Sequence, residues 1–149
     1  MTASDPVSPV RVLFVCVGNS ARSQMAEAIL GARGGAAYAP ASAGTSPWLV
    51  HPLTVRALAE TGIDWSYARS KGVGEMLGRR WDVVITTCDE AREACPYIPG
   101  EHEQLHWRFE DPALASGSDG ERLAAFRRVR DQISVAIDAF LAERGATGA

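Results

Sequence analysis

What this chain lacks narrows the field first. None of its apolar stretches approaches the roughly 18–20 residues that a bilayer-spanning helix requires, so no membrane span is expected. Charge of neither sign dominates: 15 Lys and Arg stand against 18 Asp and Glu, a formal net charge of −3, with no long basic run. Nucleic acid is therefore excluded as an expected partner. The opening "MTASDPVSPV" carries two prolines and an aspartate but no apolar signal core. Residues 1–9 read as a short flexible leader, and the protein is expected to stay in the cytoplasm. Cysteine is scarce and odd in number: Cys16, Cys88 and Cys95. That count, without a secretion signal, argues against a structural disulfide framework. The Cys88–Cys95 spacing leaves six residues between the thiols and no histidine pair accompanies it, so no metal site is expected. His51, His102 and His106 show no spacing suited to catalysis or metal binding and read as surface or turn residues. The four tryptophans read as packing residues, with Trp48, near Gly44 and Pro47, a candidate for the mouth of a site.

What is present is a regular alternation of short apolar runs and helical patterns. Val10 to Val15 is a valine-rich run bounded by a turn, which predicts a buried strand. From Ser23 to about Arg33, Met25, Ala26, Ile29 and Leu30 share one helical face before Gly34-Gly35 ends the pattern. "AAYAPASAG" is a weaker strand; Thr54 to Thr61 reads as a helix opened by Pro52 and closed by Gly62. A further short helix is expected between Gly72 and Arg80. Asp82 to Thr87 is a second buried strand, and Gln104 to Phe109 another. From about Asp119 to Glu143, Phe126, Val129, Ile133, Ile137 and Phe140 recur at helical spacing. This order predicts one α/β domain over residues 10–143, a four-stranded parallel sheet flanked by helices on both faces, and a short flexible tail over 144–149.

The candidate site lies in "VLFVCVGNSARSQMAEAIL", where the first strand stops at Cys16 and a helix opens near Arg22. Ligands of parallel α/β sheets bind beyond the carboxyl ends of the strands, where Cys16 falls. Gly18 permits a tight path and Asn19 tolerates a left-handed backbone, so the amides of Val17, Gly18, Asn19, Ser20 and Ala21 can converge on one anion. The helix N-terminus directs partial positive charge at the same point, and the planar fork of Arg22 suits two oxygens of a phosphate-like group. The same field favours a thiolate at Cys16, and Ser23 stands where its hydroxyl can donate to the sulfur. The loop lacks the Gly-Lys pair of a Walker loop.

"VCVGNSARS" resembles the phosphate-binding loop of the low-molecular-weight protein tyrosine phosphatases and of the arsenate reductases built on the same fold. The resemblance implies a single α/β domain with the nucleophile in the first strand–helix turn. It also implies that Asp111, in "FEDPAL", is the acid that protonates the leaving oxygen; a plain turn at Asp111-Pro112 is the other reading. Within the family, "TTCDEAREACPYIPG", "RSQMAEA", "HWRFEDPA" and "FRRVRDQISVAI" are similar to the thioredoxin-coupled arsenate reductases, and the likeness runs from about Val10 to Leu141. On that likeness Cys16 attacks arsenate, Cys88 attacks the sulfur of the adduct, and Cys95 then attacks Cys88, with thioredoxin restoring the dithiol. The "DEAREA" segment between the two thiols, expected as a short helix, would have to unwind for them to pair.

No bound cofactor is implied, phosphate or sulfate would mimic the substrate, and a monomer is expected. Some arsenate reductases of this type bind potassium beside the loop; Asn19, Glu27 and Ser42 match part of that site, while Arg69 and Lys71 stand where other ligands would fall and are expected to replace the ion. Position 21 is alanine where the family often has a cysteine. Two alternatives remain: a phosphatase acting through a cysteinyl-phosphate, and a non-catalytic anion-binding or thiol-sensing module.

Overall fold

The valine-rich run forms β1 (Val10–Cys16) at the interior of a four-stranded sheet. The computed structural model describes residues 8–89, 93–94 and 97–148, the last four by backbone alone. β1 is flanked by β2 (Tyr38–Gly44) and β3 (Val83–Thr86), and β4 (Glu103–His106) forms the far edge, in the order β2-β1-β3-β4. Every pairing is parallel. Parallel neighbours need long crossovers, and α1 (Arg22–Gly34) supplies the one from β1 to β2. It stops at Gly35, whose φ of +58° a side chain would resist.

Because side chains alternate across a strand, β1 serves two cores. Val12 and Phe14, with Val83 and Ile85 of β3, face Met25 and Ile29 of α1, Leu58 of α2 (Pro52–Ala59) and the stripe of α3 (Asp119–Gly148). That stripe, Phe126, Val129, Ile133 and Ile137, is fully buried. Leu13, Val15 and Val84 face the other way, against Met76, Trp81 and Ile98.

The expected four-stranded parallel sheet is therefore present and covered on both faces, but the second cover differs from expectation. The helix anticipated between Gly72 and Arg80 is only a 3-10 turn at Val73–Glu75. Gly72, Gly74 and Gly78 weaken any helix there, and Gly78 takes a φ of +86°. Two helix ends also differ: α2 closes at Ala59, and α3 runs on to Gly148 rather than ending near Glu143. The fourth strand begins one residue early and releases the chain after His106, so that Trp107 and Phe109 turn inward to pack. The expected helix over "DEAREA" has its middle at residues 90–92, outside the described residues. Among the described residues no helix is long and apolar enough to cross a membrane.

Candidate active site

The site forms where β1 ends. Cys16 pairs in register with Gly44, and the loop that follows bends sharply back toward the end of β2. A Cβ on Gly44 would lie 2.4 Å from the Val17 carbonyl oxygen and 2.9 Å from the Asn19 nitrogen, so only glycine permits the approach. Asn19 takes a φ of +49°, the one left-handed non-glycine residue described.

The loop's carbonyls are tied outward. Cys16 O accepts from Thr45 N (3.3 Å), Val17 O from Ser46 N (2.9 Å) and Gly18 O from Trp48 N (3.1 Å). Ser70 Oγ also donates to Gly18 O (3.0 Å), and Ser20 O accepts from His51 N (3.1 Å) and Thr54 Oγ1 (2.9 Å). Ala21 O is taken by Met25 N in the first turn of α1. With the carbonyls committed, the loop's N–H groups are what remains for a ligand. They border a cavity of about 230 Å³ lined by Cys16, Ser20, Arg22, Trp48, Glu93 and Asp111, among others. Ser20 Oγ is buried there without a hydrogen-bond partner among the described residues.

A second network sits behind the sulfur. Asn19 Oδ1 accepts from Gln24 Nε2 and Lys71 N, each at 2.8 Å, which fixes the orientation of the amide. Its Nδ2 then donates to Ser23 Oγ and Ser42 Oγ, both at 2.9 Å. Ser23 Oγ, already accepting, has its own proton free for Cys16 Sγ at 2.8 Å, and Asn19 N approaches the same sulfur at 3.3 Å. Ser42 passes its proton to Glu27 Oε1 at 2.6 Å. Lys71 Nζ closes the group, 3.3 Å from Glu27 Oε1, 3.5 Å from Ser42 Oγ and 3.3 Å from Arg69 O. Arg69 enters only through that carbonyl; its guanidinium turns outward to Glu75.

Arg22 is buried and already partnered. Its NH1 and NH2 donate to the two oxygens of Glu93, the second at 3.1 Å, NH1 also reaches Phe109 O at 3.3 Å, and Asp111 Oδ2 lies 3.7 Å from NH2. Burial opposes the charge on Arg22, but the Glu93 hydrogen bond and the surrounding negative charge outweigh it and raise its pKa. Burial likewise works against the Glu93 carboxylate, yet its bonds to Arg22 and to Asp89 N hold it below the usual range. Asp111 divides its oxygens: Oδ1 accepts from Ala113 N at 3.0 Å and caps a 3-10 turn, while Oδ2 is the one near Arg22. Its turn role and its place at the cavity coexist.

Cys88 lies just past the end of β3, the strand beside β1; it is fully buried and disulfide-bonded, whereas Cys16 is a free thiol. Cys95 lies outside the described residues. Three contributors escaped the sequence reading: Gln24, Gly44 and Glu93. Gln24 is buried, with its Oε1 held by Trp65 Nε1 at 2.8 Å. His51 is not a plain turn residue, since its Nδ1 caps α2 by accepting from Leu53 N. Trp48, 69 % exposed, lines the cavity while the other three tryptophans pack inside or at the flank.

A strand-end thiol and a buried arginine thus border one cavity at the carboxyl end of a parallel sheet. The chain belongs to the low-molecular-weight phosphotyrosine protein phosphatase family, whose model matches residues 11–147. Within that family it is similar to the arsenate reductase of Halalkalibacterium halodurans, 43% identical over 134 residues that cover 90% of this chain and 96% of the relative. Among solved structures, an arsenate reductase in the phosphate binding state superposes with a TM-score of 0.75 at 33% identity, covering 90% of this chain and 98% of its own. The thioredoxin-dependent arsenate reductase Cg_ArsC1' of Corynebacterium glutamicum follows at 0.70 and 30% identity, over 95% of this chain and 65% of its own.

Proposed function

We propose that this chain reduces arsenate to arsenite with a three-cysteine relay that thioredoxin regenerates in the cytoplasm. The observation that carries the reading is the pairing of a free Cys16 inside the cavity with an oxidised Cys88 on the adjacent strand end. A phosphatase hydrolyses its cysteinyl intermediate with water and needs no second sulfur.

The loop amides and Arg22 bind arsenate, and the Cys16 thiolate, supported by Ser23 and Asn19 N, attacks arsenic. Asp111 gives its proton to the departing oxygen, which leaves as water. Cys88, as thiolate, then attacks the Cys16 sulfur of the adduct. The electron pair of the As–S bond stays on arsenic, arsenite departs, and two thiols have become one disulfide. Cys95 next attacks Cys88, frees Cys16 and leaves Cys88–Cys95 for the external dithiol. A free Cys16 beside an oxidised Cys88 is the state this sequence reaches after its last internal exchange. Lys71, seated against Glu27 and Ser42, places a positive charge where the family resemblance implies a potassium ion in some members, so turnover is expected not to depend on potassium.

The deciding experiment couples the protein to thioredoxin, its reductase and NADPH with arsenate as sole added oxidant. Arsenate-dependent NADPH loss with matching arsenite is expected. Phosphoester hydrolysis without arsenite formation would establish the phosphatase reading instead, and phosphate binding without either turnover would leave a binding or sensing module.

A further inference from the structure

The Arg22 fork is not open to solvent or ligand in this structure; a carboxylate holds it. Glu93 places one oxygen on each terminal nitrogen of Arg22, the bidentate geometry that two oxygens of a bound oxyanion would use. Glu93 is itself one of the residues lining the cavity. With Asp111 Oδ2 also 3.7 Å from Arg22, the cation that lines the cavity among the described residues is already shared by two acidic side chains. An incoming anion would meet their repulsion as well as an occupied donor pair.

The carboxylate is also tied to the redox segment. Glu93 Oε1 accepts from Asp89 N at 2.7 Å, and Asp89 directly follows the disulfide-bonded Cys88. Asp89 is anchored in turn by Arg108 Nε at 3.1 Å. The backbone beside the oxidised sulfur and the carboxylate on Arg22 therefore share a hydrogen bond, which gives a rearrangement at Cys88 a direct route to Glu93.

We propose that Glu93 is an internal anion that closes the oxyanion cradle while Cys88 is held in a disulfide, and that reduction at Cys88 withdraws it. The proposal rests on reading the loop as an oxyanion cradle. Oxyanion then binds selectively to the chain that has thiols to spend on it, and the spent chain does not stay occupied by phosphate while it waits for its reductant. Glu93 takes no part in the chemistry itself.

The test titrates inorganic phosphate into the full chain by calorimetry, in the reduced form and in the disulfide form with one titratable thiol, for the natural sequence, Glu93→Gln and Glu93→Ala. The reduced natural protein is expected to bind phosphate about tenfold more tightly than its disulfide form. Both substitutions should raise the disulfide form's affinity by about that factor, alanine at least as much as glutamine, which can still accept one hydrogen bond. They should leave the reduced form within about twofold. Equal affinity in the two forms of the natural protein, or disulfide forms of both variants that bind no more tightly than the natural one, overturns the lock alone. A reduced natural protein that binds no phosphate overturns the cradle reading and the lock with it.

Discussion

At the scale of single residues, the site depends on atoms with two obligations. Asp111 caps a turn with one oxygen and faces the cavity with the other, so removing its proton without changing its shape separates the two roles. Asp111→Asn is expected to cut turnover by about 10²–10⁴ while phosphate affinity changes little, because general acid catalysis carries that range and binding does not need the proton. Turnover within about twofold of the natural enzyme would remove Asp111 from the chemistry. Gly44 has the opposite character, contributing only the absence of a side chain. Gly44→Ala would drive a methyl into the Val17 carbonyl and should cost about 2–3 kcal/mol, measurable as a lower denaturant midpoint, with loss of phosphate protection of Cys16 from alkylation. Neither glycine nor aspartate looks special in the sequence by itself. Asp111 was found through a resemblance, and Gly44 went unmarked because the atom it makes room for lies on a different strand end.

At the scale of elements, α2 and α3 are joined by a charged seam at their exposed edge. Glu60, just past α2, accepts from Arg127 and Arg130 of α3, and the hydrogen bond from Arg127 is the largest cause holding its carboxyl near 2, well under the usual 4.5. A carboxylate depressed in the folded state adds stability that is complete above its ordinary value and is lost as pH falls toward its folded one. Glu60→Gln should therefore lower the melting temperature by about 1–3 °C near neutral pH, and the gap should close between about pH 4.5 and 2. Being exposed, the seam should also weaken in high salt. A second seam, between α1, β2 and the residues before the 3-10 turn, is the Lys71–Glu27–Ser42 group. Because an ammonium already stands there, arsenate turnover should differ by less than about twofold between sodium and potassium chloride; a several-fold rise with potassium would refute that role for Lys71.

At the scale of the whole molecule, the proposed relay would draw on Cys16, Cys88 and Cys95, which are far apart in the sequence. Cys95→Ser is expected to form about one equivalent of arsenite and stop with Cys16 and Cys88 joined, detectable by mass spectrometry of the alkylated protein. Sustained turnover of that variant with thioredoxin would end the relay. The strands, the apolar stripe of α3 and the turn from Cys16 to Arg22 were legible in the sequence because each depends on neighbours within a few residues: alternation, helical period, a glycine and an asparagine in a tight path. Between Gly72 and Arg80 only a 3-10 turn forms in place of the expected helix, because Gly72, Gly74 and Gly78 weaken a helix there. Only the folded chain decided that Asn19 joins Ser23 to Ser42, that Lys71 rather than Arg69 points its charge inward, and that Glu93 rests on Arg22. Those choices depend on side chains brought together across more than twenty positions of sequence, where distance and orientation come from the sheet register and no local pattern encodes them.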